Sequence, residues 1–217
     1  MNLYYNNYLN KLFIKKAIFI LILLASAFLS IAIMYRYRVE KNYLLIGFIY
    51  ILFTIFYVKK LYIEMIKLYV GIKAEVKVNK TLKSSGVLFS RNIIIKGTEI
   101  DSIVFFPSLL VMETKYGKGS IIKSGNNYYV GKKVITDKMF TQIDRNLKKV
   151  NMILPNNFQK AKGVLCFSDA EGVMELNNGK LFLVGNRSLS KWLKTQNSGL
   201  IMNYESAVNL KKFIENS

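Results

Sequence analysis

Four charged side chains stand in a stretch that otherwise has the composition of buried β-structure. Residues 97–121 read GTEIDSIVFFPSLLVMETKYGKGSI and contain Glu99, Asp101, Glu113 and Lys115. A charge on a buried strand is costly unless another group pairs with it or a function uses it. Because side chains alternate along a strand, Glu99 and Asp101 share one face, and Glu113 and Lys115 share one face of the next strand.

The strand register decides whether these two faces coincide. A three-residue loop at residues 107–109 pairs Asp101 with Lys115 and Ile103 with Glu113, and all four charges then point the same way. A two-residue turn places the charges on opposite faces and removes the site. The sequence leaves both registers open.

Two converging carboxylates followed by a lysine suit the hydrolysis of phosphodiesters. Asp101 and Glu113 supply the oxygen ligands that Mg²⁺ prefers, and Mn²⁺ is the alternative ion. A bound metal activates water and neutralises charge on the phosphate. Lys115 is suited to position the water or to stabilise the transition state. The alternative is a surface hairpin in which both carboxylates pair with neighbouring lysines.

The composition of the 217-residue chain excludes several other kinds of site. The chain has no His and one Cys. It therefore has no Ser–His–Asp triad, no Cys–His dyad, no His-ligated zinc or haem, and no internal disulfide. Its chemistry must rest on carboxylates, lysines, hydroxyls and hard metal ions.

Further motifs occur in a fixed order around this stretch. They are, in chain order, Gly71-Ile72-Lys73-Ala74-Glu75, Glu99-Ile100-Asp101-Ser102-Ile103-Val104, Glu113-Thr114-Lys115, the glycine-containing segment GKGSI at 117–121, Gln142, and KGVLCFSDA at 162–170. This series resembles the nuclease-related domain family (NERD) of the PD-(D/E)xK nuclease superfamily, over roughly residues 69–193. The chain departs from the family pattern at Ser102, where many relatives carry His, and at Ala74, where many carry Gly.

The resemblance implies a fold, a site and an activity. The fold is α/β and restriction-endonuclease-like, with a mixed sheet flanked by helices and a turn at residues 117–121. The site consists of Glu75, Asp101, Glu113, Lys115 and Gln142, and its metal ligands are Asp101, Glu113 and Glu75. The implied activity is Mg²⁺-dependent hydrolysis of DNA. A non-catalytic module that binds nucleic acid or a protein partner is the alternative.

The elements that must position these residues are read from apolar periodicity and from turn residues. Helices are expected at 59–83, 137–154, 188–195 and 205–215, and strands at 93–95, 99–106, 109–115, 121–130, 163–168, 173–176 and 181–184. The helix at 137–154 carries a polar stripe of Gln142, Arg145 and Lys149. This stripe is either a solvated face or a face that contacts phosphate beside the site.

Two uncharged runs, residues 17–34 and 43–58, are close to the length that crosses a bilayer as a helix. A signal peptide at the first run and two buried helices of a soluble core are the alternatives. The predicted organisation is a basic tail at 1–16, a transmembrane hairpin at 17–58 and a nuclease-related domain at 59–217.

The chain is predicted to be an integral protein of the cell membrane, and the distribution of its basic residues predicts its orientation. The tail contributes Lys11, Lys15 and Lys16, the loop between the runs contributes Arg36, Arg38 and Lys41, and more lysines follow residue 58. A hairpin places both flanking segments on one side, where they outnumber the loop. Both termini and the soluble domain are therefore predicted to be cytoplasmic.

The charge of the chain indicates anionic partners. The whole chain carries a formal net charge of +19, and residues 59–217 hold 26 of the 32 basic and 12 of the 13 acidic residues. Membrane lipids and DNA both fit such a surface. A structural membrane protein whose basic domain lies on anionic lipid is a third functional class that fits it.

Overall fold

The computed structural model describes residues 4–37, 41–156, 158–196 and 203–216. The loop residue Arg38 lies outside the described residues. Packing divides the chain into two compact units, Met1–Ile72 and Lys73–Ser217. This division falls inside a helix, and the predicted boundary between hairpin and domain at residue 58 stays a prediction.

The first unit is built on two long helices, α1 (Tyr4–Tyr37) and the amino-terminal part of α2 (Lys41–Ser84). Their segments Leu12–Arg36 and Leu45–Ser84 are long and apolar enough to cross a membrane. In the most apolar 18-residue stretch of the first segment, no residue is buried. In the corresponding stretch of the second segment, 11% of the residues are buried. By length and composition, both are candidate membrane spans. The predicted helical continuation past residue 59 is confirmed, because α2 runs without a break to Ser84.

The second unit is α/β, as predicted, with a mixed sheet and helices on both of its faces. Its strands are β1 (Leu88–Ile95), β2 (Thr98–Phe106), β3 (Leu110–Ser124), β4 (Asn127–Val130), β5 (Lys133–Val134), β6 (Lys162–Glu171), β7 (Val173–Leu176) and β8 (Leu181–Gly185). Its further helices are α3 (Asp137–Ile153), α4 (Asn186–Thr195) and α5 (Tyr204–Glu215). The central order is β1-β2-β3-β6-β8-β7, and β4 and β5 extend from β3. The β3–β6 and β6–β8 pairs are parallel, and the others are antiparallel.

Two apolar layers cover the two faces of the sheet. Val78 and Leu82 at the end of α2 pack with Trp192 of α4 on one face. Ile143 of α3 and Leu210 of α5 belong to the core on the other face.

In β2 and β3, Val104, Leu110 and Met112 enter the first layer, whereas Ile103, Phe105 and Val111 enter the second. Ile100 also enters the second layer, so the alternation along β2 changes between Ile100 and Ile103. Glu113 and Lys115 both contact Gln142 of α3 and therefore lie on the α3 face of the sheet.

The β2–β3 register differs from the predicted one by two residues. Ser102 pairs with Met112 and Val104 with Leu110, so the predicted pairs of Asp101 with Lys115 and of Ile103 with Glu113 are wrong. Phe105 and Leu109 pack in the core instead of closing a short loop, which lengthens the connection. A shift of two residues keeps Glu113 and Lys115 on one face, and both contact Gln142 of α3. The common face predicted for all four charges stays a prediction, because the alternation along β2 changes between Ile100 and Ile103.

The turn expected at residues 117–121 is wrong, because these residues lie inside the long strand β3. The ladder between β3 and β6 shifts between Lys115 and Lys118, where β3 carries a bulge. Gly119 has φ +107°, and a Cβ added there would lie 2.9 Å from the Cα of Gly131. Both facts explain the glycine without a turn.

The strand expected at residues 121–130 is likewise two strands. β3 and β4 pair antiparallel, and Ser124 is opposite Asn127. Gly125, with φ +58°, makes the turn between them.

Candidate functional site

Asp101 on β2 and Glu113 on β3 form the centre of the site. The recorded β2–β3 ladder ends at the pair Ser102–Met112, and Asp101 and Glu113 are the next residues on the two strands. The backbone N–H of Thr114 donates to Oδ2 of Asp101 at 2.7 Å, which fixes this carboxylate against the neighbouring strand.

Glu113 is held by three side chains, although only 2% of its surface is exposed. Lys115 Nζ donates to Glu113 Oε1 at 2.7 Å and to Gln142 Oε1 at 3.0 Å. Gln142 Nε2 also donates to Glu113 Oε1. Asn146 Nδ2 donates to Glu113 Oε2 at 3.1 Å. The structure thus brings Glu113, Lys115 and Gln142 together, as the site prediction requires.

The polar stripe of α3 divides between the site and the structure. Gln142 contacts Glu113, and the positive charge of exposed Arg145 acts on the same carboxylate. Lys149 instead donates to the Lys96 carbonyl at 2.9 Å and to the hydroxyl of Thr98, which ties α3 to the β1–β2 turn. Contact of this face with phosphate stays a prediction.

Glu75 approaches from α2, and the amide of Asn92 on β1 favours the ionised form of its carboxyl group. Asn92 has φ +52° and lies between the pairs Arg91–Ser102 and Ile93–Ile100, so it falls opposite Asp101. The negative charge of Glu75 reaches both Asp101 and Glu99. Glu75 is therefore an electrostatic neighbour of the central pair.

Burial is the largest cause of the raised pKa values of the three carboxyl groups, and repulsion among the acidic side chains adds to it. Burial, with the charges of Glu99 and Glu113 adding to it, raises the pKa of Glu75 to about 7. Burial and the charges of Glu113 and Glu75 hold the pKa of Asp101 well above its usual range. Burial also raises the pKa of Glu113, although Lys115 and Arg145 oppose the shift. A cation would offset the cost of ionising these groups together.

The donor set fits a hard divalent metal, since its ligands would be the carboxylate oxygens of Asp101 and Glu113, of which Lys115 pairs only with Glu113. Among the described residues, no three acidic side chains already converge as a ligand set. Asp101 and Glu113 therefore form the nucleus of the candidate metal site, and Glu75 is a neighbour whose side chain would have to approach.

Sequence reasoning missed two asparagines at this site. Asn146 lies four residues after Gln142, a helical spacing that could have indicated it. Asn92 gives a weaker signal, because only its tolerance of positive φ distinguishes it from other polar residues on an edge strand. Neither contact with a carboxylate follows from the sequence.

The backbone of Asn92 gives a direct test of its local geometry. We expect Asn92→Ala to unfold more easily than Asn92→Gly by about 1–2 kcal/mol, because a β-carbon is disfavoured in the left-handed region. Both variants lack the amide that binds Glu75, so this difference reports the backbone alone. Denaturant unfolding of the full chain in detergent measures it. Equal stability of the two variants would contradict the positive φ.

Comparison with known proteins gives a family match for part of the chain. Residues 70–168 match the family model described as Nuclease-related domain (NERD), a range that includes Glu75, Asp101, Glu113, Lys115 and Gln142. Neither the curated proteins nor the solved structures contain a match to the chain. The family match supports the assignment of residues 70–168 to the nuclease-related domain family.

Proposed function

We propose that this chain is a membrane-tethered, metal-dependent hydrolase that cleaves phosphodiester bonds of DNA. The observation that carries the proposal is the cluster of Asp101, Glu113 and Lys115 on two adjacent strands, where Thr114 N–H donates to Asp101, Lys115 donates to Glu113 and the charge of Glu113 acts on Asp101. The family match supports a nuclease-related function. We propose further that the domain has the restriction-endonuclease-like arrangement of the PD-(D/E)xK superfamily.

Each side chain has a role in this proposal. Asp101 and Glu113 bind Mg²⁺ or Mn²⁺, and Glu75 completes or orients the cluster from α2. When bound, the ion supplies an activated water and neutralises charge on the phosphate. Lys115 places its ammonium where negative charge develops on the phosphate. Gln142 accepts a hydrogen bond from Lys115 Nζ and so directs the ammonium.

DNA is the proposed substrate because the domain is strongly basic. Lysines and arginines displace counterions from phosphates and give affinity that depends little on sequence. The affinity for DNA should fall as the salt concentration is raised, whereas the chemistry at Asp101 should not depend on salt in the same way. Binding and cleavage can therefore be measured separately.

A non-catalytic module that binds nucleic acid or a partner is the second candidate. The observation in its favour is that Lys115 and Gln142 already occupy Glu113 Oε1. In this reading Lys115 neutralises a buried carboxylate and no metal enters. The described residues also hold no converged set of three acidic ligands.

Cleavage by the purified full chain in detergent decides between the two candidates. The chain is incubated with double-stranded DNA, single-stranded DNA or RNA and with Mg²⁺, Mn²⁺ or a chelator. We expect metal-dependent cleavage of DNA that the chelator abolishes. Binding of DNA without cleavage, whether or not metal is added, would favour the binding module.

Tethering to the membrane, through α1 and α2, has a separate test. The basic residues of the two segments that flank the hairpin outnumber those of the loop between the helices. We therefore expect reporters fused at Asn2 and at Ser217 to be cytoplasmic. Both positions lie outside the described residues. A reporter at position 39, which lies between α1 and α2 in the sequence, is the control and should give the opposite signal. An extracellular or periplasmic signal from Ser217 would contradict the proposed topology.

The raised pKa values predict that pH acts oppositely on the metal-free protein and on metal binding. The pKa of Glu75 moves from 4.5 to about 7 on folding, so the folded state keeps a proton that the unfolded state releases. The stability of the metal-free protein should therefore fall as pH rises through this window. Mg²⁺ affinity should rise over the same window, because its ligands must be deprotonated. Thermal unfolding and Mg²⁺ titration at several pH values measure both trends.

A further inference from the structure

Asn146 is fully buried, and of its two amide atoms only the nitrogen makes a hydrogen bond with the residues that the structure describes. It lies on α3, one turn after Gln142, and none of its surface is exposed. Its Nδ2 donates to Glu113 Oε2 at 3.1 Å. Its Oδ1 is buried and accepts no hydrogen bond from the part of the chain that the structure describes. A buried acceptor without a hydrogen bond costs on the order of 1–3 kcal/mol. Packing alone therefore does not explain why an asparagine stands at this position.

Glu113 determines the orientation of this amide. An ionised carboxylate only accepts hydrogen bonds, so the Nδ2 group must face it. The reverse orientation would place Asn146 Oδ1 against Glu113 Oε2 and leave the amide hydrogens without this acceptor. The unmet Oδ1 is therefore a consequence of the contact that Asn146 makes with Glu113.

The two oxygens of Glu113 have different surroundings. Oε1 receives Lys115 and Gln142, and the Lys115 side chain is 25% exposed. Among the described residues, only the buried Asn146 donates a hydrogen bond to Oε2. Oε1 is thus the oxygen on the solvent side, and Oε2 is the inner anchor.

We propose that Asn146 is a positioning residue for Glu113: it holds Oε2 inside the domain and thereby presents Oε1 to the metal and substrate side. This inference rests on the proposed function and adds a residue that the family resemblance does not supply. Partners that hydrogen-bond a metal-ligating carboxylate orient it, and their loss typically weakens metal affinity about 10–100-fold. Lys115 and Gln142 contact the outer oxygen and cannot replace the inner anchor.

Asn186 provides a matched control for any substitution of Asn146. It is also buried, lies at the start of α4 and carries an Oδ1 without a hydrogen bond from the described residues. It makes no hydrogen bond to Glu113 that the structure records. Asn146→Leu and Asn186→Leu therefore remove the same kind of buried amide, and only the first removes the anchor of Glu113.

The test is Mg²⁺ titration by calorimetry on the full chain in detergent, with unfolding midpoints measured in parallel. We expect Asn146→Leu to raise the Kd for Mg²⁺ about 10–100-fold, and Asn186→Leu to leave it unchanged. Asn146→Ala is the second variant if the leucine substitution does not fold. In cleavage, loss of the anchor should lower kcat more than it raises KM for DNA.

The outcomes separate this inference from the proposed function. If the parent binds Mg²⁺ and Asn146→Leu or Asn146→Ala binds it equally well, Asn146 does not position Glu113 and only this inference fails. An equal loss of affinity in Asn186→Leu overturns it too, because general damage to the core would then explain the effect. If the parent binds no Mg²⁺ or Mn²⁺ even with DNA present, the proposed function fails and the positioning role fails with it.

Discussion

Replacing Asp101 with Asn should abolish Mg²⁺ binding and DNA cleavage together while it stabilises the metal-free protein. An amide is a much weaker ligand for Mg²⁺ than a carboxylate, so the central pair would lose one of its two anionic ligands. The same change removes a buried negative charge beside Glu113 and Glu75, whose repulsion raises the pKa of Asp101. The amide oxygen can still accept from Thr114 N–H, so the local fold is kept.

The measurements for Asp101→Asn are calorimetric Mg²⁺ titration, a cleavage assay and the unfolding midpoint without metal. Asp144→Asn is the matched control, because Asp144 is largely exposed on α3 and pairs only with Lys148 in the contacts that the structure records. It should leave metal binding, cleavage and stability close to those of the parent. Cleavage by Asp101→Asn at the parent's rate, or a lower midpoint without metal, would contradict the role given to Asp101.

The face of the site could be predicted from sequence, but the register could not. Glu113 and Lys115 share a face because the side-chain period of a strand is two, which holds for any even shift of register. The pairing itself depends on how the connection packs. Phe105 and Leu109 are buried in the core, and Ser108 Oγ donates to the Gln196 carbonyl at 2.9 Å. These contacts join residues far apart in the chain and leave no periodic signal.

The turn that the resemblance implied at residues 117–121 is wrong for a similar reason. A glycine predicts a turn where the backbone is free, but it also marks places where two strands approach closely. At residues 117–121 the second cause applies. A Cβ on Gly117 would lie 2.8 Å from a methyl carbon of Val130 and 2.9 Å from the ring of Phe167. The partners that exclude a side chain there come from β4 and β6, which the local sequence does not reveal.

The asparagines show where sequence reasoning about a site ends. Carboxylates and lysines stand out in apolar strands because an unpaired charge there is costly. Asn146 on an amphipathic helix and Asn92 on an edge strand have no such contrast with their neighbours. Their importance lies in contacts with Glu113 and Glu75, and those contacts exist only once the helices have packed on the sheet.

Replacing Lys115 with Ala should lower the cleavage rate by about 10²–10³-fold while Mg²⁺ binding stays close to that of the parent. Lys115 is a donor and not a ligand, so the carboxylates that hold the ion remain. Its ammonium matters most when charge builds on the phosphate, and such an interaction lowers kcat when it is lost. Lys118→Ala is the matched control, since Lys118 is an exposed lysine on the same strand beyond the bulge.

The two substitutions at the site are distinguished by the step that each one removes. Asp101→Asn should lose metal binding and cleavage, whereas Lys115→Ala should lose cleavage only. Both should still bind DNA, with affinity that falls as salt is raised, because the basic surface supplies most non-specific affinity. If Lys115→Ala cleaves DNA as fast as Lys118→Ala, the ammonium only neutralises Glu113. The contacts of Lys115 with Glu113 Oε1 and Gln142 Oε1 would then describe a structural ion pair, as the binding module requires.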